Sequence, residues 1–117
     1  MRCLLCCLAL LLSTPAISAE SRVVEACTKA AAHAWAMERV YPEVVQDFSE
    51  LSPPRARIKF SFNPGGSIGR TITCEFASAT GRLGLLRFSV DEYTFAPEGP
   101  LADRFEEVQT LLEREGY

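Results

Sequence analysis

The chain has 117 residues, a formal net charge of −3 and 48% hydrophobic residues, which fits one small globular domain. Its acidic balance argues against a nucleic-acid-binding protein, whose surface is basic. A single histidine also leaves few ligands for a zinc site.

The first nineteen residues have the parts of a secretory signal peptide. Arg2 gives a minimal positive start, residues 3–12 are uniformly apolar, and residues 16–19 offer small side chains for cleavage. We expect cleavage after Ala19, with Ser18 as the alternative. The apolar run is too short for a bilayer-spanning helix, which needs about 20 residues, although an uncleaved anchor is the rival interpretation. Residues 20–117 are then one exported domain without a transmembrane segment, periplasmic in a bacterium and otherwise secreted.

Two of the five cysteines, Cys27 and Cys74, lie beyond the predicted signal peptide. An exported chain favours disulfide formation, and two cysteines allow a single intrachain pairing. Cys27 falls on the apolar stripe of a predicted helix and Cys74 on the apolar phase of a predicted strand, so both point to the same interior. We therefore predict a Cys27–Cys74 bond; two free buried thiols or an intermolecular bridge are the alternatives.

Alanine-rich residues 20–41 predict an N-terminal helix. Apolar side chains recur there at three- and four-residue spacing, with Met37 and Tyr41 as the last members of the stripe. Pro42 is expected to end or kink the helix. Residues 43–51 are interpreted as a short second helix with an apolar side formed by Val44, Val45, Phe48 and Leu51.

Three runs with period-two alternation predict β-strands: residues 57–62, 68–76 and 83–90. Turn-forming residues 63–67 and 77–82 separate them, which favours an antiparallel meander. The glycine-rich stretch 65–71 lacks the spacing and lysine of a phosphate-binding loop, so we interpret it as a hairpin turn. In the third run Leu83 and Leu85 are out of phase with Phe88, and a bulge near residues 84–86 would reconcile them.

The C-terminal part predicts a second amphipathic helix over residues 101–115. Pro100 is expected as its first residue and Gly116 as its stop. Ahead of it, Tyr93 and Phe95 either form a short edge strand or fix a loop to the core. The predicted fold is α+β: an N-terminal helix, a three- to four-stranded antiparallel meander and a C-terminal helix, with both helices on one face of the sheet.

No catalytic residues can be assembled from the pattern. His33 stands six residues after Cys27, so the two point about 120° apart on a helix and cannot form a nucleophile–base pair. The cysteines and one histidine do not make a metal site. We interpret His33 as a packing or surface residue and expect no cofactor.

The basic residues of the central runs are the best binding candidates. Arg57, Lys59 and Arg87 fall on phases that face away from the helices, among Ser61, Thr71 and Thr73. Such a patch attracts an acidic protein or an anionic envelope surface. An ordinary solvated face, or one neutralised by the acidic C-terminal segment, is the alternative. Trp35, off the main helical stripe, either widens the buried face or anchors a partner.

The sequence thus predicts a small exported, non-catalytic binding or accessory module. Two alternatives remain open: an assembly subunit that pairs through an edge strand or a helix face, and a small hydrolase whose site is not evident.

Overall fold

A computed structural model describes residues 21–66 and 69–117; the predicted signal peptide lies outside them, as does Ile68 of the second predicted strand. An antiparallel five-stranded sheet is flanked by two helices, which confirms the α+β class, although three or four strands were expected. The elements are α1 (Arg22–Ala34), β1 (Tyr41–Phe48), β2 (Arg55–Ser61), β3 (Arg70–Phe76), β4 (Leu85–Val90), β5 (Tyr93–Phe95) and α2 (Ala102–Arg114). The strands lie in chain order across the sheet.

The core lies between one face of the sheet and the two helices. Side chains of β2 and β3 alternate between faces, and the buried phase is apolar on both strands: Ala56, Ile58, Phe60, Ile72, Cys74 and Phe76. Helix α1 packs on β2 and β3, and α2 packs on β4, β5 and α1. Small alanines at the buried positions of α1 allow the helix to approach the sheet closely.

Helix α1 ends seven residues earlier than predicted. At its start, Ser21 accepts a hydrogen bond from the Val24 amide at 3.1 Å, as an N-cap residue does. At its end, Ala36 takes φ 52°, its amide donates to the His33 carbonyl, and the Met37 amide donates to the Ala32 carbonyl. This is a Schellman ending with alanine where glycine is usual.

Residues 43–51 do not form the predicted short helix. They belong mostly to β1, which pairs antiparallel with β2 and has Val44 opposite Lys59. Val44 and Val45, assigned to one apolar helix face, lie on opposite faces of the strand and are both exposed. Pairing with β2 thus overrides the helical spacing, and the two valines suit a strand in their own right.

The other strands differ from prediction mainly at their ends. Strand β2 begins two residues earlier, at Arg55, and ends before Phe62; β4 begins at Leu85 rather than Leu83. The register between β3 and β4 shifts between Glu75 and Phe76, which leaves Leu86 as the extra residue. The predicted bulge is therefore confirmed. It turns Leu85 inward while Leu86 and Arg87 stay exposed.

The C-terminal elements follow the prediction closely. Residues 93–95 form the edge strand β5, paired with β4. Helix α2 begins after Leu101, so Pro100 precedes the helix rather than opening it. At the other end Gly116 takes φ 92°, and the Tyr117 backbone amide donates to the Leu112 carbonyl, so the predicted glycine stop is confirmed.

A disulfide joins Cys27 of α1 to Cys74 of β3, as predicted, and both residues are fully buried. Within residues 21–66 and 69–117, no helix combines the length and the apolar character needed to cross a bilayer.

Candidate functional site

The sheet face opposite the helices is polar and carries a row of cations. We call it the outer face. It is formed by the side chains that alternate with the buried phase: Val44, Gln46 and Phe48 of β1, Arg55, Arg57 and Lys59 of β2, Thr71, Thr73 and Glu75 of β3, Arg87 and Ser89 of β4, and Thr94 of β5. Since both helices pack on the other face, the acidic residues of α2 are a whole layer away from this surface.

Arg57 and Lys59 line a shallow depression of about 190 Å³ on the outer face. Val44 and Gln46 from β1 form one wall and Thr71 from β3 the other. The two cations are two residues apart on one strand, so their Cα atoms are separated by about 6.8 Å. Both side chains are exposed. The depression therefore offers two positive charges beside amide and hydroxyl groups.

Arg87, the third predicted cation, is not free on this face. Its Nε lies 3.3 Å from Glu75 Oε2 on the neighbouring strand. Glu75 is thus the acidic residue that partly neutralises the outer face. Ser61, expected among the outer-face side chains, is instead buried and donates a hydrogen bond to the Asn63 carbonyl at 2.8 Å.

Arg55 extends the cationic row by one position and was not predicted. It lies two residues before Arg57 and pairs in register with Glu75 and Phe48. Its Nε is buried and has no hydrogen-bond partner among the described residues. The alternation that includes Arg57 and Lys59 extends back to Arg55 in the sequence, so the period-two signal was available for this residue.

The residues considered for catalysis are engaged in structural contacts. His33 Nε2 lies 3.1 Å from Glu115 Oε1 and so links α1 to the end of α2. Cys27 and Cys74 are bonded to each other. In the described part of the chain, no three His, Cys, Asp or Glu residues are grouped as metal ligands.

Asp47 holds the end of β1 against the start of α1. Burial alone would raise the pKa of its carboxyl, but hydrogen bonds from Ser49 and Ser21 outweigh it and the pKa is lowered. Ser49 also donates from its hydroxyl to that of Ser21 at 3.3 Å. The lowered pKa keeps Asp47 charged, next to the first turn of α1, where the helix dipole favours an anion.

Trp35 is half-buried and belongs to two environments. Its ring packs edge-on against Phe60, with centroids 5.3 Å apart, and against Phe62 at 5.8 Å. It also lines a groove of about 280 Å³ between the end of α1 and the β4–β5 hairpin. The groove is formed by Ala34, Trp35, Arg70, Val90, Asp91, Tyr93 and Phe95. The burial interpretation of Trp35 thus holds in part, and its role as an anchor for a partner stays a prediction.

Comparison of the chain with protein-family models, with curated proteins and with solved structures gives no match. Functional proposals therefore rest on the geometry of the outer face and of the groove.

Proposed function

We propose that the chain is a small exported, non-catalytic binding module whose outer face recognises an acidic segment of a partner protein. The depression that holds Arg57 and Lys59 is the observation that carries this proposal. Export is supported by the signal-peptide pattern of residues 1–19 and by the Cys27–Cys74 bond, since disulfides persist in oxidising compartments. In a bacterium the compartment is the periplasm.

The spacing of the cations favours an extended acidic chain. Arg55, Arg57 and Lys59 project from one strand at intervals of two residues, about 6.8 Å. Carboxylates at alternate positions of an extended peptide have the same spacing. A membrane surface fits less well, because Thr71 and Thr73 lie beside the cations on β3 and the apolar side chains of the outer face, Val44 and Phe48, are confined to β1.

Fluorescence anisotropy with a labelled peptide in which aspartate alternates with serine tests this proposal. The full chain, expressed with its own N-terminal segment and purified oxidised, is compared with Arg57→Glu/Lys59→Glu. We expect the double reversal to weaken binding at least tenfold, and binding of the unchanged protein to fall as salt rises from about 0.05 to 0.5 M.

The matched control is Lys29→Glu/Arg114→Glu, which makes the same change in net charge at exposed helix positions. Equal weakening by both variants would mean a nonspecific charge effect and would contradict an outer-face site. A third outcome is that the protein does not bind the peptide but binds vesicles with anionic lipids through Arg57 and Lys59. That result would show that the outer face recognises a membrane surface and not an acidic protein.

An assembly subunit is the second candidate, and the exposure of β1 favours it. Strand β1 is the longer of the two sheet edges, and Val44 and Val45 are 53% and 44% exposed. An uncovered edge strand can pair with another chain. We expect Val45→Lys to abolish any oligomer detected by sedimentation of the native protein; a monomer at all accessible concentrations would remove this candidate. For a hydrolase, His33 gives no support, since its Nε2 is directed to Glu115.

A further inference from the structure

The groove beside Trp35 combines an aromatic lining with one ion pair. Tyr93 is 65% exposed, and Phe95 and Val90 are further apolar residues of the lining. The same lining contains Arg70, whose Nη1 donates to Asp91 Oδ2 at 2.9 Å. A small-molecule site has this composition, an apolar cavity with a few converging polar groups.

The ion pair restricts the charge of a ligand. The positive charge of Arg70 is matched by Asp91, so the groove carries no net charge among its lining residues. An anionic ligand would have to lie against the Asp91 carboxylate, and a cationic ligand against the Arg70 guanidinium. A purely apolar ligand would remove water from both without replacing its hydrogen bonds. The groove is therefore suited to a neutral ligand with both donors and acceptors.

Hydroxyl groups meet this requirement. The guanidinium offers only donors and the carboxylate only acceptors, whereas one hydroxyl can accept from the first and donate to the second. The pair is about half exposed, at 48% for Arg70 and 38% for Asp91, so both groups can be reached from the groove. Two neighbouring hydroxyls on a ring could bridge them at once.

The aromatic wall accommodates the other side of such a ligand. The face of an aromatic ring is negative, so it attracts the polarised C–H groups on the apolar face of a sugar ring. The volume, about 280 Å³, is just below the range of drug-sized sites and matches one ring better than a long chain.

Asp91 takes φ 53°, a left-handed conformation that Asp and Asn adopt more readily than other non-glycine residues. A substitution at this position is therefore limited to residues that tolerate the same backbone conformation.

We propose that this groove binds a single neutral sugar unit, stacked on the aromatic wall and hydrogen-bonded by the Arg70–Asp91 pair. The site is separate from the outer face and does not depend on the function proposed there. Trp35 is the single tryptophan of the chain, so its fluorescence reports on this groove directly.

The test is a fluorescence titration of the full oxidised chain with the methyl glycosides of glucose, galactose, mannose and N-acetylglucosamine. We expect a saturable change with at least one of them and a Kd on the order of 1 mM. Free reducing sugars form a second series. Tighter binding of the methyl glycoside identifies the end unit of a glycan as the natural ligand. Tighter binding of the free sugar identifies a soluble monosaccharide as the natural ligand.

Three variants locate the site without removing Trp35, whose ring supports Phe60. Tyr93→Ala should weaken binding about five- to tenfold through loss of stacking. Arg70→Lys should weaken it because the planar donor fork is lost, and Asp91→Asn because the acceptor is lost while the left-handed backbone is still tolerated. The matched control, Leu86→Ala, removes an exposed apolar side chain outside the groove and should leave the affinity unchanged.

The proposal is overturned if no glycoside gives saturation up to about 100 mM, a hundredfold above the expected Kd. It is also overturned if folded Tyr93→Ala responds as the unchanged protein does. Benzoate or benzylamine serves as a charged ring probe. Stronger, Arg70-dependent binding of either would contradict the requirement for a neutral ligand.

Discussion

Cys27 and Cys74 join the first helix to the third strand, with Cα atoms 5.7 Å apart and a separation of 47 positions in sequence. The bond lies beneath β2 as well, because the Cys27 side chain also contacts the Ala56 carbonyl, 3.8 Å from its Sγ. The disulfide therefore ties α1 to the centre of the sheet. Its neighbours in the core, Ile58 and Ile72, are fully buried.

Removal of the disulfide should lower the free energy of unfolding substantially, because the loop that the bond closes is long. For a loop of this length the chain-entropy model gives about 4 kcal/mol, and measured values for native bonds are about 2–5 kcal/mol. We expect Cys27→Ala/Cys74→Ala to lower the free energy of unfolding by 2–4 kcal/mol in urea titrations. Should the variant fail to fold, reductant titration of the native chain gives the same quantity; a loss under about 1 kcal/mol by either route would contradict a stabilising staple.

The phenol of Tyr117 should make stability fall at high pH. Burial, a hydrogen bond to the Glu25 carboxylate and the charge of that carboxylate raise the pKa of Tyr117 to about 12 from 10.0. The unfolded chain therefore releases this proton first as pH rises. The contribution is intact below pH 10 and is lost as pH rises towards 12.

Urea unfolding of the native chain and of Tyr117→Phe between pH 9 and 12 measures this effect. Other groups titrate in both proteins, so the difference between their unfolding free energies isolates Tyr117. Above pH 10 we expect the native chain to lose stability relative to Tyr117→Phe. A difference that stays constant over the whole interval would show that Tyr117 ionises equally in the folded and unfolded states.

Much of the fold could be predicted because its residues carry strong local signals. The alternation around Ile58 and Phe60 marked β2, the phase change between Leu85 and Phe88 marked the bulge, and Gly116 marked the end of α2. These signals depend on neighbours in sequence, so no tertiary information was needed.

The predictions were wrong where a local sequence signal is missing or where tertiary contacts determine the structure. The left-handed residue that follows helix α1 is Ala36 rather than the usual glycine, so the sequence contains no glycine that marks the end of this helix. Strand β1 forms because β2 offers a pairing edge, which the spacing of its own residues does not reveal. The Arg70–Asp91 pair and the groove join residues 21 positions apart, beyond the reach of local patterns.

The Ala36 conformation gives a stabilising substitution. At φ 52° alanine is strained, and glycine is not. We expect Ala36→Gly to raise the free energy of unfolding by up to about 1 kcal/mol, because relief of the strain exceeds the greater freedom of glycine in the unfolded chain. The matched control is Ala32→Gly, inside α1, which should destabilise by about 1 kcal/mol. If both substitutions destabilise equally, Ala36 is not strained.

The Glu75–Arg87 pair limits the positive charge of the outer face, so a substitution of Glu75 should increase that charge. Both partners are partly exposed, so the pair itself should contribute only about 0.2–1 kcal/mol, and Glu75→Gln should leave stability within that range. Its effect on binding should be larger, because removal of Glu75 leaves Arg55 and Arg87 without their neighbouring carboxylate in the register. We expect Glu75→Gln to tighten binding of the alternating aspartate peptide about three- to tenfold at low salt.

The control Glu113→Gln, on an exposed position of α2, removes the same charge far from the outer face. If the control tightens binding as much as Glu75→Gln does, net charge alone governs the interaction, and the row of cations on β2 is not the recognition surface.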